Sequence, residues 1–394
     1  MTYKVIFYSP DRHLTYDGRT PREIGVGGGI TSRIRMAEAL AKAGHDVASI
    51  INCQHPHVYQ NVKYIPLDEA KTIDTQILIM NTSGDKLDLT PIQNLNPRAM
   101  LRIIWISGTN KPGGLDSVGF DFIYAKSNFL REVVLREWGV PEEKVFVSYN
   151  MFPEAIFNQA QDQSPERDPY RLIYFSHPSK GLDAAIDVLN RLREIDDRFR
   201  LFVYGGNKLW AQEESEIPLT PGLEYHGLIG QEALVAEIFK STYSLNLQNR
   251  REPFGLTVLE AMRAGCVVIA SAVGAYPEII CQGWDGFVIP GDADEGAARS
   301  AAAYLIAELS RNPDLVSLVS RNAAMVPWDG GRMVKTWQQH WAMVLGENSG
   351  VSYPPLDALL KCPDCEGTLS FFPDGYRCSR CGRYYRHLPS SSGS

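Results

Sequence analysis

The stretch 250–265 limits the possible folds of this chain more than any other, because it joins two apolar runs through a sharp turn and a helix. One apolar run ends at Leu247, a Pro-Phe-Gly turn follows, and apolar residues then recur at helical spacing. Gly265 ends that helix, and residues 266–270 have the composition of a buried strand. A buried strand on each side of one helix predicts an α/β fold with a parallel sheet.

Two carboxylates frame this turn and helix. Glu252 lies at the corner between strand and helix, and Glu260 lies two turns further along. The unpaired N–H groups of a first helical turn, together with the helix dipole, favour an anion such as a diphosphate. The two glutamates would then accept hydrogen bonds from hydroxyls on either side of it, which is the layout of a nucleotide sugar. Taken singly, a carboxylate before a helix is often only a cap, and one inside a helix often faces solvent.

The same stretch carries a family signature. The spacing Glu252-x7-Glu260, with Phe254-Gly255 between the two and Ala-Met-Arg-Ala-Gly after them, closely resembles that of the retaining glycosyltransferases of family 4, which have the GT-B fold. Residues 273–290 resemble the next segment of that family, and a looser resemblance covers residues 1–346. The resemblance implies an α/β protein with two Rossmann-like domains facing a cleft, the first for the acceptor and the second for the nucleotide sugar.

Strands and helices alternate along the chain in a way that fits this architecture. A first strand is followed by a glycine loop and a helix predicted over 31–43, and a weakly periodic stretch at 150–170 is interpreted as the interdomain connection. Trp337 and Trp341 are the expected packing anchors of a last helix on the first domain. We predict an acceptor domain at 1–160, a nucleotide-sugar domain at 161–330, a helix crossing back with a linker at 331–353, a zinc ribbon at 354–389 and a tail at 390–394.

Composition excludes several classes of protein. With 394 residues, 44% of them hydrophobic, the chain is long enough for two cores and a small appendage. Its net charge of −7 gives no support to general nucleic-acid binding. No apolar run reaches the roughly 18 residues of a membrane span, and the N-terminus enters a strand without the layout of a signal peptide. We therefore expect a cytoplasmic protein with no transmembrane segment.

Four of the seven cysteines have paired spacing near the C-terminus. Cys362 and Cys365 form one C-x2-C pair, twelve residues follow, and Cys378 and Cys381 form a second pair. Two such pairs give the four thiolates of a closed, tetrahedral zinc site, which is structural and not catalytic. The segment has too small a basic surplus to argue for nucleic acid, so a protein partner or the enzyme body is its expected contact. The other three cysteines are scattered, which fits a reducing compartment.

The resemblance also implies roles for single residues. The glutamate at Glu252 contacts the donor sugar, the one at Glu260 contacts the ribose, and Lys180 neutralises the departing phosphate. No divalent metal is needed at the donor site, so Asp292-Ala-Asp294 is interpreted as a turn that caps a helix. The departing phosphate itself would accept the proton of the acceptor hydroxyl. The resemblance places further donor-binding residues at Gly27, Gly28, Gly29, Gly205, Gly206, His226, Leu228, Phe254, Gly255, Leu256 and Thr257.

Two departures from the family pattern concern charge and catalysis. Phe175 occupies the place of the usual arginine, so Arg250, Arg251 or His177 would have to supply the missing positive charge. Ser107 occupies the place of a histidine that many members carry. His13, His55 and His57 lie elsewhere in the first half, and spacing gives no reason to choose among them.

Three other functions stay open at this point. A nucleotide-sugar epimerase of the same fold would release a free, altered sugar. A phosphorylase would need a lysine for pyridoxal phosphate, and no such lysine can be identified. A degenerate module that binds a nucleotide sugar and presents the ribbon to a partner would explain both departures, but the intact pair of glutamates opposes it. The sequence does not specify the sugar, the base or the acceptor.

Overall fold

The computed structural model describes residues 2–83, 87–162, 166–214, 217, 219–346, 362, 369–372, 375–378, 380, 382 and 384–386. The chain divides into two compact units, 1–341 and 342–394, which are described separately below. The first unit contains two open sheets, each with helices on its faces.

The first sheet has eight strands in the order β3-β4-β2-β1-β5-β6-β7-β8, parallel except where β3 pairs with β4. The chain moves outward from β1 in one direction through β2 and in the other through β5, so the direction of winding reverses between β1 and β5. Ligands of open α/β sheets bind at such a reversal, beyond the carboxyl ends of the strands. The strands are β1 (Lys4–Tyr8), β2 (Asp46–Ile51), β3 (His57–Tyr59), β4 (Val62–Pro66), β5 (Asp74–Met80), β6 (Arg98–Trp105), β7 (Phe122–Ala125) and β8 (Val145–Val147).

The second sheet has six strands in the order β11-β10-β9-β12-β13-β14, all parallel. Its winding reverses between β9 and β12, which places the loop after β9 and the turn after β12 side by side. Buried apolar clusters cover both of its faces. The strands are β9 (Asp168–Ser176), β10 (Arg200–Gly205), β11 (Leu223–Gly227), β12 (Ser241–Asn246), β13 (Val267–Ser271) and β14 (Phe287–Ile289).

The helices confirm the predicted α/β alternation, with two differences. The helix predicted from residue 31 begins at Gly28, so two of the three glycines form its first turn. The stretch 150–170 was expected to be irregular, but it contains a helix whose Phe157 is fully buried against Phe152 and Phe239. The helices are α1 (Thr20–Glu23), α2 (Gly28–Lys42), α3 (Asn128–Arg136), α4 (Glu154–Asp162), α5 (Leu182–Ile195), α6 (Gln231–Phe239), α7 (Leu256–Arg263), α8 (Tyr276–Ile279), α9 (Gly296–Ser310), α10 (Pro313–Ala323) and α11 (Gly330–Val344).

Helix α11 returns to the first sheet through its tryptophans. The Trp337 ring lies 5.1 Å from that of Trp105 and 5.0 Å from that of Tyr124, both edge to face. The Trp341 ring makes the same kind of contact with Tyr3, at 5.7 Å. Both tryptophans are fully buried, so the expected packing anchors do contact the first sheet. Among the described residues, every helix is too short or too polar to span a membrane.

The second unit contains a three-stranded antiparallel sheet of β15 (Leu369–Phe372), β16 (Gly375–Cys378) and β17 (Tyr384–Arg386). Cys362 and Cys378 are buried, whereas the predicted ligands Cys365 and Cys381 lie outside the described residues. The described part of the chain contains no group of three potential ligands placed to hold a metal ion.

Candidate active site

The winding reversals of both sheets open onto one cavity of about 470 Å³, a size typical of small-molecule sites. Residues after β1, β5, β6 and β7 line it from one side, and residues after β9, β10 and β12 line it from the other. It lies entirely within the first compact unit, between the two sheets.

Two helix N-termini face each other across this cavity. Helix α2 begins after Gly27 and helix α7 begins after Gly255, and neither start is capped by a side chain of the described residues. A Cβ atom added to Gly28 would lie 3.3 Å from Leu256 Cδ1, so the first turns are close together. At Gly255 φ is +97°, and an added Cβ would come within 2.4 Å of Tyr276 Cε1, so only glycine fits there. Because both helices begin at the cavity, their unpaired first-turn N–H groups and the positive ends of their dipoles make this volume favourable for an anion.

Glu252 and Lys180, predicted from separate motifs, form an ion pair in the cavity wall. Lys180 Nζ donates to Glu252 Oε2 at 2.7 Å, and Gln248 Nε2 donates to the same oxygen at 3.2 Å. Burial alone would raise the pKa of Glu252, but the charge and hydrogen bond of Lys180, with bonds from Gln248 and the Phe254 N–H, lower it overall. The carboxylate is therefore ionised at neutral pH and can only accept hydrogen bonds.

Glycine at position 181 makes this pairing possible. Gly181 has φ of +97°, and an added Cβ would lie 1.7 Å from the Leu247 carbonyl oxygen. The loop after β9 therefore passes against the end of β12, which brings Lys180 next to Glu252.

Glu260 also lines the cavity, but an arginine of the first half holds its carboxylate. Arg35 Nη2 donates to Glu260 Oε1 at 2.5 Å, and Gln231 Nε2 donates to it at 3.2 Å. Arg35 and Glu260 have side chains only 7% and 6% exposed, so this is a buried ion pair. Sequence reasoning missed Arg35, because an arginine in a helix is usually exposed. The available signal was the row of small and apolar residues on every side of α2, which predicts a helix buried all round.

A buried polar network lies beyond β1 and β5 and includes Thr82 and Ser83, which line the cavity. Arg33 donates to Asn81 Oδ1 at 2.6 Å and to Asp11 Oδ2 at 3.1 Å. Asp11 also accepts from the Ser83 N–H at 2.7 Å and from the Thr82 hydroxyl at 2.6 Å. These pairings were not predictable from the sequence, because the residues meet only where the sheet reverses its winding. Through Asp11, they connect helix α2, whose first turn contains Gly29, to the loop that carries Ser83.

Ser107, in the place of the family histidine, contacts a buried lysine. Lys126 Nζ donates to Ser107 Oγ at 3.0 Å and to Ser32 Oγ at 2.8 Å, and it lies 4.4 Å from the centre of the Trp105 ring. Burial, reinforced by nearby Arg33 and opposed by Glu252, lowers the pKa of Lys126 from 10.5 to about 7. No local signal in the sequence distinguishes Lys126 from other lysines.

The arginines proposed to replace Phe175 are not brought into the cavity. Arg251 forms an ion pair with Glu137 in which both side chains are about half exposed. Arg250 lies over the ring of Trp210, 5.1 Å from its centre, and does not line the cavity. The two arginines follow the end of β12 by four and five residues, and at this turn Glu252, not either arginine, lines the cavity.

His177 lines the cavity without offering a charge. Its ring stacks on Trp210 at 3.7 Å and its Nε2 lies 3.2 Å from Gln212 Oε1. Burial lowers the pKa of His177 despite the Gln212 hydrogen bond, and the nearby cations Arg250 and Lys180 lower it further. The imidazole is therefore neutral at pH 7 and does not replace the missing arginine.

Most of the other predicted donor residues meet in the cavity, and a few do not. His226 lies on β11 with its ring stacked on Tyr204, outside the lining, and Gly206 also lies outside it. Of the histidines left open, His13 lines the cavity, whereas His55 and His57 do not. Asp292 accepts from the Asp294 N–H at 2.8 Å in a turn before α9, away from the cavity. The predicted residues that do line it are Gly27, Gly28, Gly29, Gly205, Leu228, Phe254, Gly255, Leu256, Thr257 and Glu260 with Glu252 and Lys180.

Comparison with known proteins places a family domain on the second sheet. Residues 171–306 match the family described as glycosyl transferases group 1. A D-inositol 3-phosphate glycosyltransferase of Stackebrandtia nassauensis is 29% identical over 164 residues, which is 38% of this chain and 36% of the relative. The chain therefore matches about a third of the length of that relative.

Solved structures match over most of the chain. HepE from Anabaena in complex with UDP superposes with a TM-score of 0.61 at 15% identity, covering 86% of this chain and all of that one. Sucrose-phosphate synthase from Thermosynechococcus elongatus gives a TM-score of 0.64 at 15% identity, covering 87% of this chain and all of that one. The predicted fold is thereby confirmed as two α/β domains with parallel sheets resembling GT-B glycosyltransferases, and residues 171–306 form a glycosyl transferases group 1 domain.

Proposed function

We propose that this protein is a retaining glycosyltransferase that moves a sugar from a nucleotide sugar to an acceptor hydroxyl, without a metal ion at the donor site. The observation that carries the proposal is the convergence of two uncapped helix N-termini on one cavity that also holds the Lys180–Glu252 pair and Glu260. This arrangement offers N–H donors and positive charge for a diphosphate, with a carboxylate on either side for hydroxyls. The UDP bound to HepE makes UDP sugars the first donors to test.

Each wall of the cavity has a part in donor binding. The diphosphate lies between the first turns of α2 and α7, and Lys180 donates to it. Glu252 accepts hydrogen bonds from the hydroxyls of the donor sugar. Arg35 and Gln231 both bond to Glu260 Oε1, so Glu260 Oε2 is the oxygen that accepts from the ribose.

The transfer step does not need a protein side chain as a base. The acceptor oxygen forms a bond to the anomeric carbon on the face from which the diphosphate leaves, and the bond between that carbon and the phosphate oxygen breaks. The acceptor proton passes to the departing phosphate oxygen. N–H donors and cations around that phosphate stabilise the charge that develops on it.

The acceptor is a hydroxyl-bearing molecule bound by the first half of the chain, where His13, Thr82, Ser83 and Ser107 line the cavity. The relative that acts on an inositol phosphate indicates small phosphorylated polyols as one class to test.

A donor panel tests this function. UDP, GDP and ADP sugars are added singly to the purified protein, melting temperature and calorimetry report binding, and released nucleotide reports turnover with a mixture of glycan, lipid-linked and polyol acceptors. We expect one base to bind and turnover to need Lys180, with Lys180→Met at least a hundredfold slower. A protein that binds none of these nucleotides would refute the proposal.

The departures at Phe175 and Ser107 favour a second candidate, a module that binds a nucleotide sugar without transferring it. The same panel separates the candidates, because a binding module would bind donor and release no nucleotide. An epimerase would release a free sugar of altered configuration.

We further propose that Cys362, Cys365, Cys378 and Cys381 hold one structural zinc ion. The turn after Cys378 fits a metal-bound thiolate, since the Arg380 N–H lies 3.3 Å from its Sγ and the Gly382 N–H donates to its carbonyl at 3.0 Å. Gly382 has φ of +73°, as a tight turn requires. Metal analysis should find one zinc per chain, lost in Cys378→Ser. A full-length protein without zinc would contradict this proposal. A protein partner of the C-terminal segment and a cytoplasmic location also stay predictions.

A further inference from the structure

The charged side chains that line the cavity are almost all paired. Lys180 is neutralised by Glu252, and Glu260 is neutralised by Arg35. Lys126 is the remaining lining lysine, and within the described part of the chain no carboxylate lies within ion-pair distance of it. A nucleoside diphosphate carries two to three negative charges, so the paired side chains alone cannot offset it.

The surroundings of Lys126 are unfavourable for an ammonium ion in the absence of a ligand. An ammonium has three N–H donors, and the hydroxyls of Ser32 and Ser107 accept two of them. Burying a charge without a partner of opposite sign costs free energy that a hydroxyl cannot return in full. Arg33 of α2 adds repulsion, although Asp11 partly neutralises it, and Glu252 across the cavity is the facing group that attracts. A buried charge kept at such a cost inside a cavity indicates a role in binding.

Lys126 lies close to the start of α2. Ser32 is in the second turn of that helix, and an added Cβ on Gly29 would lie 3.8 Å from Ser107 Cβ. The ammonium and the free N–H groups of the first turn therefore act on the same part of the cavity.

We propose that Lys126 binds a phosphate group of a substrate in this cavity, so that the first half of the chain supplies the positive charge that Phe175 cannot supply. The inference rests on the proposed function. Phosphate is the shared chemistry of two sources, the diphosphate of the donor and a phosphate on the acceptor. Because Lys126 lies on the opposite wall from Lys180, one phosphate bound between them would connect the two domains.

Protonation gives this role a distinct signature. Since burial lowers the pKa of Lys126 to about 7, part of the protein carries a neutral amine at pH 7.5. An anion beside the amine raises that pKa, so binding should take up a fraction of a proton from solution. The uptake is measured by calorimetry in buffers of different ionisation enthalpy. A lysine with only a structural role would not produce it.

The test uses Lys126→Met, which keeps the volume, and Lys126→Arg, which keeps a permanent charge. Lys63→Met is the matched control, because Lys63 is a first-domain lysine paired with Asp46 on the surface. One arm titrates UDP and, for comparison, uridine, or the nucleotide of whichever base the wild type binds. The other arm titrates inorganic phosphate into protein saturated with that nucleoside diphosphate. Circular dichroism confirms that each variant is folded.

We expect Lys126→Met to weaken a phosphate ligand at least tenfold, to leave uridine binding unchanged and to abolish the proton uptake. Lys126→Arg should bind within about threefold of wild type and also lose the uptake. A loss in the UDP arm assigns the donor diphosphate, and a loss only in the phosphate arm assigns the acceptor. The inference would be overturned, with the proposed function intact, if Lys126→Met kept wild-type affinity in both arms. It would also be overturned if Lys126→Arg lost as much affinity for the phosphate ligand as Lys126→Met. A wild type that binds no nucleotide would instead refute the proposed function on which it rests.

Discussion

Replacing Lys126 by methionine should stabilise the ligand-free protein, and the gain should shrink as pH rises. The pKa of Lys126 falls from 10.5 in an unfolded chain to about 7 in the folded protein. Below pH 7 the lysine is protonated in both states, so the folded protein bears the full cost of the buried charge. Between pH 7 and 10.5 the unfolded chain binds more protons than the folded one, so the stability of the wild type rises with pH.

The size of the effect follows from the shift. Each pH unit in this window changes the free energy of unfolding by about 1.4 kcal/mol, so the advantage of Lys126→Met should fall by about 3 kcal/mol between pH 7 and pH 9.5. The variant also loses the hydrogen bonds to Ser32 and Ser107 and the contact with Trp105. These losses reduce the advantage by an amount that does not change with pH. The pH dependence of the difference is therefore the quantity to measure, because other titrating groups cancel in it.

Urea unfolding of wild type and Lys126→Met, followed by tryptophan fluorescence at several pH values from 6 to 9.5, measures this difference. Lys63→Met, whose lysine is more than half exposed, should show a constant offset from wild type. A difference between Lys126→Met and wild type that stays constant across the range would mean that Lys126 keeps its ordinary pKa, and the account of its cavity would be wrong.

Further predictions concern the other parts of the site. Gly181→Ala should lower the free energy of unfolding in urea by at least about 3 kcal/mol, because both its φ and the contact with Leu247 forbid a Cβ. Gly44→Ala is the control, with φ of +94° and open space around it, and should lower it by about 1 kcal/mol. Equal losses would contradict the close approach of residue 181 to Leu247. Arg35→Met and Glu260→Gln should each lower stability by roughly 3–5 kcal/mol, and the double variant by much less than their sum; additive costs would show that the two side chains are not paired. In calorimetry Glu260→Ala should weaken nucleotide binding by about 1.5–3 kcal/mol, while Glu252→Ala should chiefly reduce turnover, and unchanged affinity of the Glu260 variant would refute its ribose role. A chelator should remove zinc and unfold the C-terminal segment without changing nucleotide affinity; a parallel loss of nucleotide binding would contradict independent folding.

Residues with local signals were predictable from the sequence. Glu252, Gly255 and Glu260 belong to one continuous stretch, and a strand, a glycine turn and a helix determine where each of them lies. Lys180 was identified through the family resemblance, which places a lysine just before a glycine, and Gly181 does adopt a positive φ.

The residues that were not predicted from the sequence have partners in segments that are distant along the chain. Arg35 and Glu260 are 225 positions apart, and the hydrogen bond between them joins the two halves of the chain. Lys126 follows β7, and its sequence context is that of any lysine at the end of a strand. Only in the folded protein do Ser32 of α2 and Ser107 after β6 enclose it. Arg251 is the opposite case, because its nearness to Glu252 along the chain does not determine which side of the turn it faces. Its partner Glu137 belongs to the other half of the chain.

The configuration of the first sugar that the protein releases distinguishes a retaining transferase from an inverting transferase and from an epimerase. Incubated with the nucleotide sugar that it binds, and with water as the only acceptor, the protein should slowly release nucleoside diphosphate and free sugar. Proton NMR should detect that sugar first in the anomeric configuration that it had in the donor, before mutarotation, with no release by Lys180→Met. First appearance of the opposite anomer, or of a sugar with altered configuration, would contradict a retaining transferase at this cavity, and so would a bound donor that releases no nucleoside diphosphate even after acceptors are added.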